Sequence, residues 1–205
     1  KDRIMTKSID STIVSRIYGK KRGWVFTPIQ FLDLGSRAAV DQALSRLVKK
    51  GSIRRVIRGI YDYPRYSDLL DQWLSPDLHQ VAKVLSGKFG WRIQPSGDTA
   101  LNLLGLSTQV PSTLVYLSDG PARTYKIGNR QVVFRRTTSK IASLKFSESA
   151  LIVQALMALG KQRVNKRVVG KIRDQFQPST RKKILKDARV VNGWVYEFIR
   201  EICLP

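Results

Sequence analysis

Residues 37–50 constrain this chain more than any other stretch. Stepping about 100° per residue, Val40, Ala43, Leu44, Leu47 and Val48 fall on one stripe of a helix. Ser36 stands ready to cap its start, and Lys49-Lys50-Gly51 closes it. The opposite face holds Ala38, Gln42, Ser45, Arg46 and Lys49, with Asp41 on its flank. A helix with one buried stripe and one small, hydrogen-bonding, acid-free face must pack on a core and leave the other side available.

The flanking segments fix what that core is made from. Apolar residues at Ile9, Ile13, Val14 and Ile17 predict a helix over 8–18. Trp24-Val25-Phe26 reads as a short strand. Thr27-Pro28 opens a short helix to Leu34, with Thr as cap and Pro at the first helical position. After Gly51, the runs 52–56 and 60–63 alternate around Arg58-Gly59 and read as a hairpin. Helix, short helix, turn, longer helix and two-stranded wing is the order of a winged helix-turn-helix.

The rest of the chain reads as α+β. Pro64–Trp73 reads as a linker or bridging helix, and Ser75-Pro76 as the cap of a helix to Phe89. A strand follows at 91–93, then a helix from Gly97 to Leu104 capped by Ser96. Thr113–Leu117 is a β-rich run, and 123–127 with 131–135 flank Gly128-Asn129 as a second hairpin. From Ser147 onward the pattern is helical: 147–159, 164–176, 179–188 and 192–202. These elements divide the chain into a winged-helix domain at 1–70 and an α+β domain at 71–205.

Charge says what the free face is for. The 205 residues hold 37 Lys and Arg against 15 Asp and Glu, a formal charge of +22. Residues 1–71 carry 15 basic and 7 acidic side chains, so both parts share the excess. Such a balance points to a polyanion, with nucleic acid ahead of an anionic membrane surface. Gln presents a bidentate pair to adenine, and Ala meets the thymine methyl. Arg37, Ala38, Gln42, Ser45 and Arg46 are therefore the candidate base-reading residues. Lys20, Lys21, Arg22 and Lys49 are candidates for phosphates, and Arg54, Arg55 and Arg58 for the wing. The competing reading pairs the wing arginines with Asp62, Asp68 or Asp71.

Catalysis has little to work with. The sole Cys is Cys203 and the sole His is His79. A metal site, a Ser-His-Asp triad or a Cys-His dyad is thus not expected. No phosphate-cradling glycine loop or paired carboxylates appear, so neither an enzyme nor a cofactor is expected. No signal-like apolar core or spanning segment is seen, which leads us to expect a cytoplasmic protein without a membrane partner.

Two blocks carry a family resemblance. Gly35–Gly51 with Ile53–Pro64, and Pro95–Pro111 with Tyr116-Leu-Ser-Asp-Gly120, resemble the AbiEi-like antitoxin and transcriptional-regulator family of bacteria. The similarity spans roughly residues 10 to 140. It implies an N-terminal winged helix and a C-terminal antitoxin domain. It also implies repression of the protein's own operon through inverted repeats in double-stranded DNA, and counteraction of a nucleotidyltransferase toxin. The alternative function is a winged-helix regulator, or a protein- or RNA-interaction module, without a toxin partner. Lys161, Arg163, Lys166, Arg167, Arg181, Lys182 and Lys183 stand as further contacts to DNA or toxin, against the alternative of a solvated helical face.

Overall fold

A computed structural model of the chain describes residues 8–137 and 144–204. The protein is mixed α+β and divides into two compact units, Lys1–Gly90 and Trp91–Pro205. The division lies well beyond the 1–70 span read from the sequence. The helix over 78–89 packs on two strands of the N-terminal sheet, which keeps it in that unit.

The N-terminal unit begins with α1 (Ile9–Tyr18), capped by the Ser8 hydroxyl, which accepts from the Ser11 amide. Strand β1 (Val25–Phe26) leads into a 3-10 helix, Pro28–Phe31. Thr27 and Gln30 close that helix with a reciprocal capping box. Helix α2 (Arg37–Lys49) follows, its Ser36 hydroxyl accepting from the Ala39 amide. Strands β2 (Arg54–Ile57) and β3 (Ile60–Asp62) form the hairpin, and β1 adds to β3 to give the order β1-β3-β2. Gly59 sits at the tip with φ +76°, where a side chain would be strained.

Ile13, Ile17, Phe26, Phe31, Val40, Leu44 and Leu47 make the core of this unit. Phe26 packs edge-on to Phe31 at 5.6 Å and stacks on Tyr61 at 6.0 Å. Two ion pairs brace the periphery. Arg16 of α1 grips Asp33 with two bonds of 2.7 Å and also donates to the Gln30 carbonyl. Arg54 grips the buried Asp62 and donates to the Leu74 carbonyl at 3.0 Å.

Residues 64–73 are neither linker nor helix. They form a small hairpin, β4 (Tyr66–Ser67) with β5 (Gln72–Trp73), turned by Asp71 at φ 48°. Strands of two residues are too short to show alternation, so the stretch carries no periodic signal. Helix α3 (Leu78–Phe89) is capped by Asp77, not Ser75, its carboxylate accepting from the His79 and Gln80 amides.

The C-terminal unit is built on a four-stranded sheet, β6 (Ile93–Pro95), β7 (Thr113–Ser118), β8 (Arg123–Ile127) and β9 (Arg130–Arg136). Its order is β6-β7-β9-β8, with β7 and β9 parallel and the other pairs antiparallel. Helix α4 (Gly97–Leu103) joins β6 to β7, and Thr99 accepts from the Val115 amide at 2.9 Å. Ser96 makes no side-chain cap bond, unlike the expectation. Helices α5 (Ser147–Leu159), α6 (Lys166–Arg173), α7 (Pro178–Asp187) and α8 (Gly193–Cys203) close the unit around Ile152, Leu156, Ile172, Ile184, Val195 and Ile199. Burial in this layer pushes the Cys203 thiol up to about 11.

Phe134 is the aromatic hub of the sheet, touching Trp91, Tyr116 and Tyr125 at 5.5–6.1 Å. A Cβ at Gly120 would lie 2.5 Å from the Trp91 ring. Gly120→Ala therefore forces the indole off this cluster. We expect a loss of about 1–3 kcal/mol, read as a lowered urea midpoint for the C-terminal unit.

Candidate nucleic-acid interface

Helix α2 presents two faces, as its sequence requires. Val40, Ala43, Leu44 and Leu47 are buried, and Ala38, Gln42, Ser45 and Lys49 are exposed. None of these four exposed side chains has an ion pair or side-chain hydrogen bond within the described residues. Asp41 on the flank is occupied by Arg37 of the preceding turn, at 2.9 Å. The pair leaves the face itself without a free acid.

Arg46 does not project from that face as a base reader. Its guanidinium makes a two-pronged bond to Asp10 of α1, at 2.7 and 2.6 Å. The bond holds the Asp10 carboxyl below its usual range, with Lys50 adding a smaller effect. Arg46 thus ties α2 to α1 at the edge of their packed core.

The hairpin divides its arginines by side. Arg54 is not available to a wing surface, because it is spent on Asp62 at the hairpin root. Arg55 pairs with Tyr61 in register and is exposed, as is Arg58 at the tip. Neither has an ionic partner among the described residues. The ammonium of Lys88 joins them, lying 3.3 Å from where a Gly59 Cβ would be. Sequence reasoning missed Lys88, since only the packing of α3 on β1 and β3 brings it to the tip.

The basic turn after α1 is also split. Lys21 is exposed, and Lys20 sits over the Trp24 ring at 5.7 Å. Arg22 is no mobile phosphate ligand. It lies over Tyr63 at 4.7 Å and Trp73 at 5.7 Å, and donates to the Pro64 carbonyl. Its role is to hold the β4–β5 hairpin against the strand before it.

The C-terminal basic residues divide the same way. Arg163 donates to the Leu159 and Ala158 carbonyls, capping the end of α5. Lys166 lines an open groove of about 660 Å³ beside Glu197 and Glu201. Arg181 is partly buried with its Nε unbonded. Lys161, Arg167, Lys182 and Lys183 are exposed. Among the described residues no cluster of His, Cys, Asp and Glu could hold a metal, and no helix is long and apolar enough to cross a membrane.

The N-terminal unit thus offers an acid-free face on α2 and a hairpin with exposed Arg55 and Arg58. The chain belongs to a family of unknown function (DUF6088), whose model matches residues 12–184. No curated protein matches it. Among solved structures it is similar to the RV2827C protein from Mycobacterium tuberculosis, at 13% identity and a TM-score of 0.45, over 99% of this chain and 78% of that one.

Proposed function

We propose that the N-terminal unit is a winged helix-turn-helix and that the protein is a cytoplasmic DNA-binding repressor of its own operon. Helix α2 enters the major groove, with Gln42, Ser45 and Ala38 against base edges. Arg55, Arg58 and Lys88 serve the wing, while Lys21 and Lys49 hold phosphates. The observation that carries this reading is the exposed, unpaired, acid-free face of α2, followed in the chain by a hairpin with exposed Arg55 and Arg58. The resemblance of residues 35–64 and 95–120 to AbiEi-like antitoxins supports a further role, counteracting a nucleotidyltransferase toxin.

The reading separates positioning from specificity. Arg58→Ala is expected to weaken binding to all duplexes about evenly and to reduce the salt slope by about 1. Fluorescence anisotropy over a salt series measures both. An unchanged slope removes the hairpin from the interface.

A protein-interaction module is the second reading, favoured by the β4–β5 hairpin. Leu69 is 93% exposed there, beside exposed Leu70 and Trp73. On that reading nonspecific competitor DNA abolishes all binding to the upstream region, and a protein partner accounts for the free face.

A further inference from the structure

We infer that α7 carries a second nucleic-acid surface, in the C-terminal unit, that grips the phosphates of duplex DNA without reading bases. It goes beyond the winged-helix reading and does not depend on it. Lys182, Lys183 and Lys186 are exposed along α7, with Ser179 in its first turn, and Arg189 is exposed just beyond its end. At the helical period Ser179, Lys182 and Lys186 lie opposite the buried Ile184, with Lys183 on the adjoining flank.

The charge on this face is not compensated locally. The one acid of α7, Asp187, is turned away and accepts from the Lys145 and Phe146 amides at 3.1 Å each. The acids of α8, against which α7 packs, are Glu197 and Glu201, and they line the groove on the α6 side. On α5, Glu148 bonds the Ser147 hydroxyl. Asp174 ends α6, ahead of α7. No Lys of α7 has an ion pair among the described residues.

Other cations of this region have structural work. Arg163 caps α5, Arg173 donates to the Ile202 and Glu201 carbonyls at the end of α8, and Lys171 bonds the Gly105 carbonyl. The lysines of α7 have no such bond among the described residues, and they lie together on one helix.

The composition of the face selects the partner. Protein interfaces are depleted in Lys and enriched in aromatics, Met and Arg. No large apolar side chain is exposed on α7. Phosphate contacts draw on Lys, Ser and Thr. The ammonium of a flexible lysine is a point charge and not a planar fork, so these lysines supply attraction and register with little discrimination between bases.

The test compares the full chain with its Lys182→Gln/Lys183→Gln/Lys186→Gln variant on a short duplex of arbitrary sequence, over a salt series. The expected slope of log affinity against log salt is shallower by roughly 2.7, about 0.9 for each phosphate no longer neutralised. An Arg58→Ala background should leave that difference in place, which separates this surface from the wing. Should the triple variant unfold at lower temperature, the single variants replace it, each expected to lower the slope by about 0.9. Unchanged slopes overturn the proposal. So does a weakening confined to single-stranded RNA of the same length, which would assign the face to RNA.

Discussion

Arg54→Met is expected to destabilise the N-terminal unit by about 3 kcal/mol, the low end for breaking a buried ion pair. Asp62 is 1% exposed and loses both prongs of its partner, at 3.0 and 2.5 Å. The low end applies because the Arg54 side chain is 34% exposed, so water reaches the gap. The Leu74 carbonyl also loses its donor. Adding Asp62→Leu should recover most of the stability, since an apolar pair of similar volume avoids the uncompensated charge. Urea unfolding of the two single variants and the double variant measures this. Additive effects would mean the two groups are not coupled. DNA binding by the folded Arg54→Met protein should be nearly intact, because this arginine is inside the hairpin root and not on its surface.

Gln42→Ala is expected to leave the fold unchanged and to erode sequence discrimination at one base pair by about 1–3 kcal/mol. The side chain is exposed and makes no bond among the described residues, so its removal leaves no cavity and no orphaned partner there. Its value lies wholly in what it meets outside. Competition between the best duplex and single-base variants measures the effect. A uniform drop across all duplexes would make Gln42 a backbone contact. No change at any position would take α2 out of the groove.

Helix α2 is legible in the sequence because its apolar stripe, its Ser36 cap and its Gly51 stop agree on one structure. The β2–β3 hairpin is legible from Arg58-Gly59 between alternating runs. The uses of individual arginines are not, because Arg22, Arg46, Arg54 and Arg163 look alike in one dimension. Which carbonyl or carboxylate each meets is set by packing, as Arg46 with Asp10 shows across 36 residues. The short β4–β5 hairpin is hidden for a different reason, its strands being too brief to alternate. At α3, two cap candidates lie two residues apart. Asp77 prevails over Ser75, its carboxylate accepting from both the His79 and Gln80 amides.

The distribution of cations carries the functional reading further than the net charge does. Arg22, Arg46, Arg54 and Arg163 are spent on the fold. Lys49 on the outer face of α2, Arg55 and Arg58 of the hairpin and the lysines of α7 make no ion pair among the described residues. A charge of +22 alone would attract any polyanion. Only a face with Gln42 and Ser45 beside small Ala38 offers a means to prefer one sequence.

The most direct test of the central claim is footprinting of the full chain on the DNA upstream of its own gene, with excess nonspecific competitor. The account predicts a protected pair of inverted repeats that survives competition and loses its sequence preference in Gln42→Ala. Protection that competitor abolishes would contradict it, leaving charge on phosphates as the whole of the interaction.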